Sequence, residues 1–121
     1  MQLSVDERGE VRVIRVREAK LTYPGLSVFF AEVRKVVEAG CLAVVLDLGA
    51  VSYIDSASIG CLMDVHRLLT DKGGAVGLCG LQPRVETMLS MTGVHRIIQV
   101  FREEEEAVAS FGSGGRRSGN A

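Results

Sequence analysis

The stretch Val44-Val-Leu-Asp-Leu-Gly-Ala-Val-Ser-Tyr-Ile-Asp-Ser-Ala-Ser-Ile-Gly-Cys-Leu62 decides how the rest of the chain is read. Residues 43–48 are too few and too uniformly apolar for an amphipathic surface helix, which points to a central strand covered on both faces. After a turn and a second short apolar run, Ile59, Leu62, Met63, His66 and Leu69 recur at helical spacing. A helix over 57–70 with that stripe inward is expected. Asp55 or Ser56 then serves as its N-cap, accepting from a first-turn N–H that would otherwise lack a partner.

Outward from this stretch the chain alternates. Leu3 and Val5, then Val11, Val13, Ile14 and Val16, read as two strands joined around Arg8-Gly9, which suits a hairpin. Leu26, Phe29, Phe30, Val33, Val36 and Val37 recur as a helix, with Pro24 at its first turn and Gly40 just past its end. Gly73-Gly74 breaks the 57–70 helix before a strand at 75–79. Pro83 opens a helix carrying Val85, Met88 and Leu89, which Gly93 closes, and residues 97–101 form a last short strand. Residues 103–111 read as a terminal helix whose four glutamates lie in its first turns, where the macrodipole favours negative charge. Strands alternating with helices after an initial hairpin imply parallel crossovers, hence an α/β domain with a mixed sheet of four to five strands and about four helices. The expected division is one domain over 1–111 and a flexible tail over 112–121, where no apolar side chain repays ordering.

Composition excludes several functions. With 14 Lys plus Arg against 15 Asp plus Glu, the 121-residue chain carries a net charge of -1 and lacks the basic excess that binding a phosphate backbone requires. No direct nucleic-acid contact is expected. No run approaches the roughly 18 apolar residues of a membrane span, and the early charges leave no signal-peptide core, so the expected location is the cytoplasm. Cys41, Cys61 and Cys79 form an odd, widely spaced set, which indicates neither a zinc site nor a disulfide framework. They read as reduced core residues, although a helix N-terminus near Cys61 would lower its thiol pKa if it were exposed.

Catalytic machinery is equally sparse. His66 stands eight residues from Ser58, about two helical turns and roughly 12 Å along the axis, too far for a Ser–His pair. His95 reads as a loop residue, and neither Gly-x-Ser-x-Gly nor a phosphate-binding loop occurs. A hydrolase built on Ser56 or Ser58 would lack a base. No enzyme, cofactor or metal site is expected.

The order Leu-Asp-Leu, Val, Ile-Asp-Ser, Gly, Leu within 46–62 resembles the signature of STAS domains of the anti-sigma-factor-antagonist type. The resemblance continues in Gly73-Gly74, Leu78-Cys79-Gly80-Leu81 with Pro83, Thr92-Gly93-Val94 and Glu104-Glu105-Glu106-Ala107. It implies the STAS fold and a role in bacterial partner switching. In that role Tyr53, Asp55, Ser56, Ala57, Ser58 and Asp64 would bind an anti-sigma factor with a serine-kinase fold, and a phosphatase would reverse phosphorylation by the kinase. Antagonists of this family usually read Asp-Ser-Ser-Gly or Asp-Ser-Thr-Gly, with the second hydroxyl as phosphoacceptor. This chain reads Asp55, Ser56, Ala57, Ser58. The acceptor position is therefore an alanine, and the expectation is that any phosphate falls on Ser58, or secondarily on Ser56, whose hydroxyl is the one assigned to capping. A second departure is Leu21-Thr22, where the family often has Leu-Asp. The alternative the resemblance leaves open is a scaffold subunit of a lipid-transporting ABC assembly, which needs no phosphoacceptor.

Overall fold

A computed structural model describes residues 1–112 of the chain. Two antiparallel strands, β1 (Leu3–Arg8) and β2 (Val11–Val16), are followed by the two-residue β3 (Lys20–Leu21) and helix α1 (Leu26–Glu38). Then come β4 (Ala43–Asp47), the two-residue β5 (Tyr53–Ile54), α2 (Ser56–Thr70), β6 (Ala75–Cys79) and α3 (Pro83–Thr92). A 3-10 turn at Val94–Arg96, β7 (Gln99–Phe101) and α4 (Glu104–Gly112) complete it. The main sheet runs β1-β2-β4-β6-β7, antiparallel at β1–β2 and parallel elsewhere. The mixed sheet and four helices agree with the sequence.

Period-two alternation sorts the central strands into two cores. Ile14, Val16, Val44, Leu46, Val76 and Leu78 join Phe29, Val33, Leu62, Val65, Leu69 and Leu89 on the helical side, while Val11, Val13, Val45 and Cys79 pack with Ala107 on the other. Because both faces are covered, residues 43–46 read as an unbroken apolar run.

Several boundaries move. Pro24 is outside the first helix, which begins at Leu26 with Gly25 as N-cap; the Pro24 carbonyl instead accepts from Ser27 Oγ at 3.3 Å. The last strand starts at Gln99 because residues 94–96 close a 3-10 turn whose carbonyl at Val94 accepts from both Ile97 and Ile98 at 2.9 Å. His95 belongs to that turn and is exposed. Helix α4 extends through Gly112, one residue into the stretch read as tail, and the rest of that expected tail lies outside the described residues. Cys61 and Cys79 are buried but Cys41 is only half so. Burial pushes the Cys61 thiol up to about 11, with Asp64 adding to it, and Cys79 up to about 12, with Asp47 adding to it. Neither is an activated nucleophile.

The glutamates that open α4 do more than complement its dipole. Glu104 accepts from Arg15 Nε and a terminal nitrogen at 2.8 Å each, and Glu105 accepts from Arg8 at 2.8 and 2.9 Å. Asp6 adds a contact to Arg15 at 3.3 Å. This clamp holds α4 against the β1–β2 hairpin. The Arg15 hydrogen bonds, with a further one to Asp47, hold the Glu104 carboxyl down at about 2, while burial and the neighbouring Glu104 raise Asp47. A depressed carboxyl stabilises the fold above its unfolded pKa of about 4.3 and loses that contribution as pH falls through its folded value. Asp47 works in the opposite sense, losing its contribution as pH rises through its raised pKa. Glu104→Gln is therefore expected to cost about 1 kcal/mol at pH 7, after solvent screening of a half-exposed pair, and to flatten the acid limb between about pH 4 and 2. Urea titrations at pH 7, 4 and 2.5 check this; parallel acid limbs for the two proteins would refute it.

Candidate functional site

The two-residue strands build the site. β3 and β5 pair in parallel, Lys20 beside Tyr53 and Leu21 beside Ile54, and both Ser52 and Tyr53 donate their N–H to the Ala19 carbonyl, at 2.8 and 3.1 Å. Leu21 and Ile54 are buried, so the small sheet is anchored to the core while Lys20 and Tyr53 face solvent. This small sheet brings the segment before α1 alongside the segment before α2. Sequence reasoning missed Tyr23, which is 77% exposed at the same end of the small sheet. Its signal was an aromatic directly before Pro24-Gly25, in a turn that has no core to fill.

Asp55 is the N-cap of α2, extended at φ -126°, and Ser58 completes a reciprocal capping box. The Ser58 N–H donates to Asp55 Oδ1 at 2.9 Å, and the Asp55 N–H donates to Ser58 Oγ at 2.7 Å. The Ser58 hydroxyl donates to the Asp55 carbonyl at 2.7 Å, with Asp55 Oδ1 a second acceptor at 3.0 Å. Ser58 is 0% exposed.

This corrects the sequence reading of the two serines. Ser58, expected to be the available hydroxyl, is the buried capping residue; Ser56, expected to be committed to the cap, is at the first helical position and exposed. The inward stripe is also rotated: its buried members are Ser58, Cys61, Leu62, Val65 and Leu69, while Ile59, Met63 and His66 flank it half-buried. Ser58 is inaccessible because it lies on the inward stripe of α2, in line with Cys61, Leu62, Val65 and Leu69.

Of the six residues assigned to partner binding, Tyr53, Ser56, Ala57 and Asp64 are exposed, Asp55 is half-buried and Ser58 is inaccessible. Ala57, with only a methyl group, and Gly60, with no side chain, lie on the same exposed flank. Asp64 lies further along α2, where its carboxylate is taken by Arg67. Cys61 and His66 add no catalytic geometry to this surface. Among the described residues no cluster of His, Cys, Asp and Glu could hold a metal, and no helix is long and apolar enough to cross a membrane.

The STAS-domain family profile matches residues 2–107, a span that holds the five-stranded sheet and the capped junction before α2. The chain belongs to the STAS-domain family. It is 36% identical over 81 residues to BtrV of Bordetella bronchiseptica, which is classed with the anti-sigma factor antagonists; the match covers 67% of this chain and 70% of that protein. An anti-sigma F factor antagonist of Paenibacillus polymyxa is 29% identical over 71 residues, covering 59% of this chain and 61%, less than two-thirds, of that protein. A Thermotoga maritima crystal structure, of a protein classed with the same antagonists, shares the fold with a TM-score of 0.80 at 24% identity, covering 89% of this chain and 92% of that one. The STAS domain described here is thus of the anti-sigma-factor-antagonist type.

Proposed function

We propose that this STAS domain is a binding module of a cytoplasmic bacterial partner switch, docking a kinase-type anti-sigma factor through Tyr53, Ser56, Ala57 and the exposed flank of α2 as far as Asp64. One observation carries the reading: the junction is rigidly satisfied from within by the Asp55–Ser58 box, yet leaves Ser56, Ala57 and Gly60 uncovered beside an exposed tyrosine. Small side chains on a fixed helix end allow close approach by a partner, and aromatic residues anchor such interfaces. Binding would free the sigma factor that the partner holds.

Phosphorylation, if this switch uses it, goes to Ser56. Ala57 has no hydroxyl and that of Ser58 is sequestered. A phosphate on Ser56 would complement the helix dipole and leave the fold intact, while its charge of about -1.5 to -2 would oppose partner binding. The scaffold reading, a subunit of a lipid-transporting assembly, is favoured by one feature, the alanine at the family's acceptor position.

Ala57→Glu tests the proposal. Titration against the purified kinase-type anti-sigma factor of the same genome is expected to show affinity reduced about a hundredfold, with the melting temperature within about 2 °C of the parent, since exposed substitutions usually stay within about 0.5 kcal/mol. Unchanged affinity would refute the docking surface. Retention of an ATP-binding transporter subunit in its place would establish the scaffold reading.

A further inference from the structure

The strand β1 is an open edge. Arg17 donates its N–H to the Gln2 carbonyl at 2.8 Å, and the register from Leu3↔Val16 to Arg8↔Val11 continues without a bulge. In an antiparallel ladder alternate residues turn their backbone groups to the neighbour, so Gln2, Ser4, Asp6 and Arg8 face β2. Leu3, Val5 and Glu7 therefore direct their N–H and C=O groups outward, where the main sheet has no further strand among the described residues. Residues 3–8 have no proline, bulge or lysine, and the charges that guard this edge, Asp6, Glu7 and Arg8, are confined to its second half. Val5, in the middle, is 43% exposed.

We propose that β1 is a dimerisation edge, pairing antiparallel with β1 of a second copy about a two-fold axis at Val5. The charge pattern selects this register. Only pairings that bring the outward-facing residues opposite one another form hydrogen bonds, and these place Leu3, Ser4, Val5, Asp6 or Glu7 on the axis. Asp6 or Glu7 on the axis sets two carboxylates face to face, which is destabilising. Leu3 or Ser4 on the axis shortens the overlap at the Arg8 end. With Val5 on the axis, Leu3 lies opposite Glu7, Ser4 opposite Asp6 and Gln2 opposite Arg8, so no like charges meet and the two exposed valines cover each other. The axis is perpendicular to the sheet, so the helical faces of both copies are on one side. Their strands run in opposite senses, which leaves the two β5–α2 junctions at opposite ends, both uncovered. The dimer is a bivalent presenter of that surface.

Sedimentation velocity of the full chain from micromolar to millimolar concentration is expected to show a concentration-dependent species of twice 13.0 kDa. Val5→Lys, which opposes two ammonium groups on the axis, should raise the dissociation constant at least about tenfold with an unchanged circular dichroism spectrum. Ser4→Cys mixed with Asp6→Cys should form the mixed disulfide on oxidation, while Ser4→Cys alone should not. A monomer at every concentration, a dimer indifferent to Val5→Lys, or efficient cross-linking by Ser4→Cys alone would each overturn the proposal.

Discussion

Ser58→Asp is expected to lower the melting temperature by about 10 °C or more, whereas Ser56→Asp, two residues earlier, should leave it within about 2 °C. The new carboxylate at 58 would be 0% exposed and would meet Asp55, whose Oδ1 is 3.0 Å and whose carbonyl oxygen is 2.7 Å from the present hydroxyl. The proton that Ser58 donates would be replaced by a second negative charge facing the first. A first-turn carboxylate gains about 0.3–1 kcal/mol from the helix dipole, but burying a charge against a like charge costs several kcal/mol, so the net loss is about 3 kcal/mol. For a domain of this size that corresponds to ~4 °C per kcal/mol. At Ser56 the same carboxylate is in solvent at the positive end of the helix, and only the dipole acts. Differential scanning calorimetry of the two variants decides: equal melting temperatures would mean that the capping box does not hold Ser58 inside. The consequence for function is direct, because an acidic substitution at 58 would report unfolding and one at 56 would report the binding surface.

The sheet was legible because its central strands are covered on both faces, and a short apolar run between turn residues has few other solutions. The helices were legible from their stripes, and their ends from Gly40, Pro83 and Gly93. What escaped is what has no periodicity. β3 and β5 are two residues each and gain their identity from pairing with one another across a long separation in sequence, so neither carries a local signal. The clamp of Arg8 and Arg15 on Glu104 and Glu105 joins residues about ninety positions apart; the sequence showed four glutamates at a helix start and not the cations that meet them. The reversal of Ser56 and Ser58 was within reach. Reading the stripe backward from Leu69 through Val65, Leu62 and Cys61 arrives at Ser58 and passes by Ser56, and Asp55-x-x-Ser58 has the spacing of a reciprocal cap. A serine was read by its chemistry when its place on the helix had already determined which way it points.

Gly74→Ala is expected to destabilise the domain by about 3 kcal/mol, and Gly73→Ala, its neighbour, by about 1 kcal/mol. Both glycines connect α2 to β6, but for different reasons. Gly73 has a left-handed φ of +82° with nothing within 4 Å of an added Cβ, so a side chain there meets only its own backbone strain. An added Cβ at Gly74 would lie 2.3 Å from the Leu42 carbonyl oxygen and 3.0 Å from its carbonyl carbon and Cα, all backbone atoms that no rotamer change can move. That same carbonyl accepts from the Ala75 N–H at 2.9 Å, at the point where β4 and β6 begin to pair at Ala43 and Ala75. Relieving the contact means separating the first rung of the central ladder, and the Gly74 N–H, which donates to Leu69 at 2.8 Å, carries the displacement into the end of α2. Urea midpoints of the two variants measure the difference. Gly73→Ala falling as far as Gly74→Ala would show that φ, and not the approach of the β4 backbone, requires the second glycine. The ordering predicted here would show that the helix bearing the proposed docking surface is held at its far end by backbone contact with the central sheet.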